Sequence, residues 1–177
     1  MPKMSVPMLD LSTQHAPLSR ELEDAFKGVV ASSHFILGPK VQELERKLAE
    51  YLGAKHAIGC ASGSDALLLA LMALDVGPGD EVITSPFTFF ASAGAIARLG
   101  AKPVFVDVNP DTFNIDPKLV EKAITPKTKA VEPVHLCGLP ADMEALRAVC
   151  GPRNIPLVED AAQAIGSDLR GQKIGTF

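Results

Sequence analysis

The chain has 177 residues, 47% hydrophobic and 21% charged, with a formal net charge of −4. This is a globular composition with length for one sizeable core, and its acidic balance offers no basic face to nucleic acid or an anionic membrane. No apolar run is long enough to span a bilayer, the first ten residues lack a signal-peptide layout, and three scattered cysteines (Cys60, Cys137, Cys150) show no framework spacing, so reduced thiols in a cytoplasmic protein are the expectation.

In chain order, the pattern predicts a helix over 18–32 and a second over 39–52. In the second, Val41, Leu44 and Leu48 fall on one face, Pro39 lies in the first turn and Gly53 follows the end. A strand is expected over 56–60, a helix over 63–74, a strand over 81–84 and a helix over 88–99. There follow a strand over 102–106, a helix over 117–124, a strand over 130–135, a helix over 142–150 and a strand over 156–159. Short β-branched runs alternating with helices of about three turns indicate an α/β unit with a parallel sheet and crossover helices. Residues 167–177 read as a hairpin around Arg170-Gly171. No covering helix follows that hairpin, so the expectation is a truncated domain with an exposed sheet edge.

Three segments carry candidate chemistry. Ser62-Gly63-Ser64 joins a strand to an apolar helix, where free N–H groups and the positive end of the helix dipole suit a phosphate; the alternative is a serine N-cap with no ligand. Glu159-Asp160 closes a buried-looking strand, the place where α/β sites are built. Asp160 there can face a protonated ring nitrogen and Gln163 a neighbouring polar atom, or Asp160 can simply cap a helix. Phe87, Phe89 and Phe90 follow another strand, on a loop from which a ring can stack on a planar cofactor or turn into the core. His135 and Cys137 lack the further ligands that a metal site needs, so no metal is expected. No dinucleotide fingerprint, phosphate-binding P-loop or nucleophile elbow is present.

Taken in order, these segments resemble the DegT/DnrJ/StrS family of sugar aminotransferases, fold-type I enzymes that use pyridoxal 5'-phosphate. The resemblance is carried by Gly38-Pro39-Lys40-Val41, Ser62-Gly63-Ser64-Asp65-Ala66-Leu67 and Gly77-Pro78-Gly79-Asp80-Glu81-Val82-Ile83. It continues through Phe87-Thr88-Phe89, Pro103-Val104-Phe105-Val106-Asp107 and Pro133-Val134-His135-Leu136. Gly138-Leu139-Pro140-Ala141-Asp142-Met143 and Glu159-Asp160-Ala161-Ala162-Gln163-Ala164 complete it.

The resemblance implies the three-layer large domain of that fold, with residues 1–177 as its N-terminal part and the remainder and the small domain absent. It implies that Ser62, Gly63 and Ser64 bind the cofactor phosphate, that Phe89 stacks on the ring, that Asp160 pairs with the pyridine nitrogen, and that Gln163 approaches the ring's phenolic oxygen. It further implies a nucleotide-linked keto-sugar substrate, glutamate as amino donor, and a homodimer. The family's Schiff-base lysine follows a stretch like Gly175-Thr176-Phe177, so it is expected beyond this chain; Lys173 matches a hairpin position instead. Cys137 and Leu139 stand where relatives often carry an aromatic residue and a glutamine. Glu132 occupies a strand position where an apolar residue is usual. Two alternatives stay open: a sugar dehydratase of the same family, with histidine in place of the lysine, and a non-catalytic binding or dimerisation module.

Overall fold

The computed structural model describes residues 6–177. The chain divides into two compact units, Met1–Lys47 and Leu48–Phe177.

The first unit is helical. A short α1 (Ser12–His15) leads through a 3-10 turn, Ala16–Leu18, into α2 (Ser19–Ser32). Ser33, left-handed at φ 55°, closes α2 with its N–H on the Val29 and Val30 carbonyls. The next helix, α3 (Pro39–Leu52), has the predicted bounds. Its entry explains one glycine: a Cβ on Gly38 would meet the His34 carbonyl oxygen at 2.6 Å. Only glycine lets the chain pass there, and Pro39, with its φ already helical, starts the helix immediately after.

The second unit is a three-layer α/β sandwich. Its helices and strands are α4 (Gly63–Ala73), β1 (Glu81–Thr84), α5 (Phe90–Arg98), β2 (Lys102–Phe105), α6 (Pro117–Ala123), β3 (Thr128–Glu132) and α7 (Met143–Cys150). The strands lie in the order β2-β1-β3 and all pair in parallel. Residues 156–160 continue the sheet beside β3 through two parallel bridges, Val131 with Leu157 and Val134 with Asp160. Every residue of β1 is buried, as a central strand of a covered parallel sheet requires.

Strand alternation sorts the core into two layers. Ile83 and Val131 point to one side, where Val120 of α6 and Met143 and Leu146 of α7 cover them. Val82 and Ala130 point to the other, under Leu67 and Leu71 of α4 and Ala95 and Ile96 of α5. Each large side chain buried in this way contributes about 1.5–3 kcal/mol of hydrophobic stabilisation. Asp116 and Asp142 cap α6 and α7, accepting the N–H groups of Lys118 and Ala145 at 2.8 and 3.0 Å.

The hairpin forms as predicted, from β4 (Asp168–Leu169) and β5 (Gln172–Lys173) in antiparallel register. Arg170 and Gly171 turn it with φ 51° and 85°, two positive values that match the strand twist. Two expected strands differ. Residues 56–60 form no strand, because no neighbouring strand among the described residues offers them a ladder, and Ile58 is exposed. The strand expected over 156–159 bonds to β3 and the residues after it without a continuous ladder, since Pro133 lacks the N–H that would donate to the Val158 carbonyl.

Candidate functional site

The sheet's C-terminal edge gathers the polar groups. Thr84 closes β1, Glu132 closes β3, and Asp160 closes the segment beside it; all three are buried. Asp160 is fixed there by its backbone: its N–H donates to the Pro133 carbonyl at 2.9 Å, and its carbonyl accepts the His135 N–H at 3.0 Å. Its side chain faces α5, where the Ser92 hydroxyl donates to Oδ2 at 2.9 Å. Because Ser92 spends its proton on the carboxylate, the Thr88 hydroxyl at 2.9 Å must donate to Ser92. A one-way relay, Thr88 to Ser92 to Asp160, therefore runs from the start of α5 into the sheet. Asp160 Oδ1 also accepts the Ala162 N–H at 3.3 Å.

The two adjacent acids serve opposite faces. Glu159 Oε2 lies 3.0 Å from His135 Nε2 and accepts the Gly175 N–H, while Oε1 accepts the Phe177 N–H at 2.6 Å. His135 Nδ1 accepts the Ala141 N–H at 3.0 Å, which leaves its proton on Nε2, aimed at Glu159. His135 is thus a tie between the loop at Ala141 and the chain's last residues. Among the described residues no cluster of His, Cys, Asp or Glu suits a metal ion.

At the start of α4, Ser62 Oγ accepts the Asp65 N–H at 3.1 Å and so caps the helix, while its own O–H remains a donor. The Gly63 and Ser64 N–H groups make no hydrogen bond among the described residues, and a Cβ on Gly63 would meet nothing within 4 Å. Two free donors at the positive end of an 11-residue helix, with open space before them, suit a phosphate. Ser64 also shares a cavity of about 480 Å³ with Phe90, Gly94 and Arg98 of α5.

Phe89 sits at the N-cap of α5, 70% exposed, and Phe90 is 82% exposed. Neither ring turns into the core. Gln163 Oε1 accepts the N–H of Cys137, which is left-handed at φ 53°; the Gln163 amide NH₂ is left to donate elsewhere. Lys173 donates to the Gly166 carbonyl at 3.0 Å and lies over the Tyr51 ring. The structure thus joins Asp160 directly to the start of α5, and Ser64 to α5 through the cavity. Gln163 belongs instead to the 136–141 loop, through its bond to the Cys137 N–H.

Sequence reasoning missed Ser92. The one available signal was the i, i+4 spacing of Thr88 and Ser92 at a helix start facing a strand end. It noticed Glu132 only as out of place. Burial, with the Asp160 charge adding to it, pushes the Glu132 carboxyl up to about 8.

The sequence model of the DegT/DnrJ/EryC1/StrS aminotransferase family matches residues 18–177. A "Pleiotropic regulatory protein" of Geobacillus stearothermophilus is 58% identical over 172 residues, 97% of this chain and 46% of its own length. A "UDP-2-acetamido-2-deoxy-3-oxo-D-glucuronate aminotransferase" of Pseudomonas aeruginosa is 48% identical over 168 residues, 95% of this chain and 47% of its own. The crystal structure of Streptomyces venezuelae DesV in complex with a ketimine intermediate superposes with a TM-score of 0.94 at 47% identity, covering 97% of this chain and 46% of that one. The chain spans about half the length of the relatives it matches.

Proposed function

The chain belongs to the DegT/DnrJ/EryC1/StrS aminotransferase family, and from that premise we propose that it forms the cofactor-binding part of an enzyme that aminates a nucleotide-linked keto-sugar. Pyridoxal phosphate is the cofactor of this family. The observation that carries the reading is the buried Asp160 carboxylate, held by Ser92 at the C-terminal edge of a parallel sheet. A carboxylate fixed there is suited to a protonated ring nitrogen.

When bound, the cofactor supplies an electron sink that stabilises negative charge at the substrate carbon. The chain's residues would do the rest. Asp160 keeps the ring nitrogen protonated, and the free N–H groups of Gly63 and Ser64, with the Ser62 and Ser64 hydroxyls, hold the phosphate. Phe89, exposed beside the Thr88–Ser92 relay, covers the ring face. Gln163 donates its free amide hydrogens to the ring oxygen. We take glutamate as the amino donor, a homodimer as the working form and the cytoplasm as its location. No helix among the described residues is long and apolar enough to cross a membrane.

The lysine that joins the cofactor is assigned outside this chain. Lys173, the one lysine after Asp160, is engaged with Gly166 and Tyr51 on the hairpin. Borohydride reduction of the cofactor-loaded full-length protein, followed by peptide mapping, tests this. A pyridoxyl group on Lys173 contradicts the assignment. For the activity, Asp160→Asn in the full-length protein should lower transamination by roughly 100-fold or more while pyridoxal phosphate still binds. Turnover like that of the wild type would remove Asp160 from its role.

A further inference from the structure

Glu132 closes β3 at 0% exposure, and its two carboxyl oxygens are the only buried side-chain N or O atoms among the described residues without a hydrogen-bond partner. Its backbone is well placed, with the Thr84 hydroxyl donating to its carbonyl at 2.9 Å. The side chain alone is orphaned. A buried carboxyl without partners is costly in either protonation state and costlier as an anion.

The sheet register places a second acid on the same face. Both bridges between β3 and residues 156–160 have the same offset, so Glu132, Val134, Val158 and Asp160 project to one side. That side is the layer of Val82 and Ala130, roofed by α5 with Ser92, Ala95 and Ile96. β1 offers the Thr84 hydroxyl and α5 the Ser92 hydroxyl. Arg98 of α5 and Asp65 of α4 face each other at 3.6 Å. Glu159 and His135 alternate to the opposite face and bind one another. Asp160 is the charge that acts on Glu132.

We propose that Glu132 and Asp160 form an electrostatically coupled pair in which Glu132 holds the proton and Asp160 the charge, so that the pair presents a single negative charge to the ligand nitrogen. Two neighbouring carboxyls in a buried site do not both ionise cheaply, and the donors decide which one does. Asp160 receives the Ser92 O–H and the Ala162 N–H; Glu132 receives none. Glu132 is a positioning residue that acts through Asp160. Only the clause about the ligand nitrogen rests on the cofactor reading above.

Infrared spectroscopy of the cofactor-free full-length protein reads the proton directly. The wild type should show the carbonyl stretch of a buried protonated carboxylic acid at neutral pH, fading as pH rises past about 8. Glu132→Gln should lack that band; Glu132→Leu, apolar in an apolar layer, replaces it should the glutamine variant not fold. In Asp160→Asn the band should persist at neutral pH or below but fade at a lower pH than in the wild type, because the neighbouring charge is gone. A wild type without the band, a band unchanged in both Glu132 variants, or fading at an unshifted pH in Asp160→Asn overturns the pair. A second reading uses pyridoxal phosphate itself: its absorbance in the wild type should titrate with a step near pH 8 that Glu132→Gln and Glu132→Leu lack. A step retained in both variants overturns the link to the ligand. Failure of the wild type to bind pyridoxal phosphate would instead sink the cofactor reading, while the infrared result still decides the pair.

Discussion

The Ser92 hydroxyl donates to Asp160 Oδ2 at 2.9 Å, joining α5 to the sheet edge across 68 positions of sequence. Both residues are buried, so the bond is made away from water and to a charged acceptor. Bonds of that kind contribute about 1.5–3 kcal/mol, and losing one leaves the acceptor short of a donor. Ser92→Ala should therefore lower stability by roughly 1–3 kcal/mol in urea denaturation. It should also weaken pyridoxal phosphate binding by about tenfold, as loss of a bond of that strength allows. Cofactor affinity unchanged in this variant would mean that Ser92 supports the fold alone.

Glu132 gives stability an unusual pH dependence. Its ordinary value of 4.5 rises to about 8 in the folded chain, so between those limits the folded state binds a proton that the unfolded state has released. Stability then falls as pH rises through that window, with a slope of up to about 1.4 kcal/mol per pH unit. Below the window both states are protonated, and above it both are ionised. Glu132→Leu removes the term, so the variant's advantage over the wild type should widen from about pH 5 to about pH 8, flattening on either side. Parallel stability profiles for the two proteins would show that Glu132 is not buried as an acid.

Much of this arrangement was legible in the sequence. The α3 bounds followed from apolar spacing with Pro39 and Gly53 at the ends, and the hairpin from Arg170-Gly171. The helix start at Ser62-Gly63-Ser64 was read from local chemistry as either a phosphate-suited turn or a serine N-cap, and the Ser62 cap on the Asp65 N–H forms. What failed was non-local. Residues 56–60 have a strand's composition, yet a strand needs a neighbour, and no propensity reports whether one is there. The orientations of Glu159 and Asp160 depend on register with β3, which a single sequence does not display. Ser92 is one small residue among several in an alanine-rich helix. Its partner lies on another element, and only packing reveals the pair.

The three thiols should separate by reactivity. Cys60 and Cys137 are exposed, whereas Cys150 is 1% exposed in the layer beneath α7. Burial also pushes the Cys150 thiol up, with Arg153 opposing in part, and a thiol that ionises less attacks more slowly. Labelling this chain with an aromatic disulfide under native conditions should modify two thiols quickly. The third should react at least ~100-fold more slowly, at a rate set by opening of the fold. Three equally fast thiols would place Cys150 outside the core.

Gly38 should tolerate no side chain. The Cβ of an alanine there would lie 2.6 Å from the His34 carbonyl oxygen and 3.1 Å from the His34 Cβ. The clash is with backbone, which cannot swing aside as a long side chain does, so the 34–38 turn must open. Pro39 restricts the remedy, because the residue before a proline is already confined to extended conformations. The strain therefore passes into the entry of α3, and Gly38→Ala should destabilise the chain by about 1–3 kcal/mol. Gly28, in the middle of α2, is the control: a Cβ there meets nothing within 4 Å, and alanine favours a helix over glycine by about 1 kcal/mol. Gly28→Ala should accordingly stabilise, and the two variants should move the urea midpoint in opposite directions. Equal shifts would show that glycine at position 38 answers to something other than the close approach of His34.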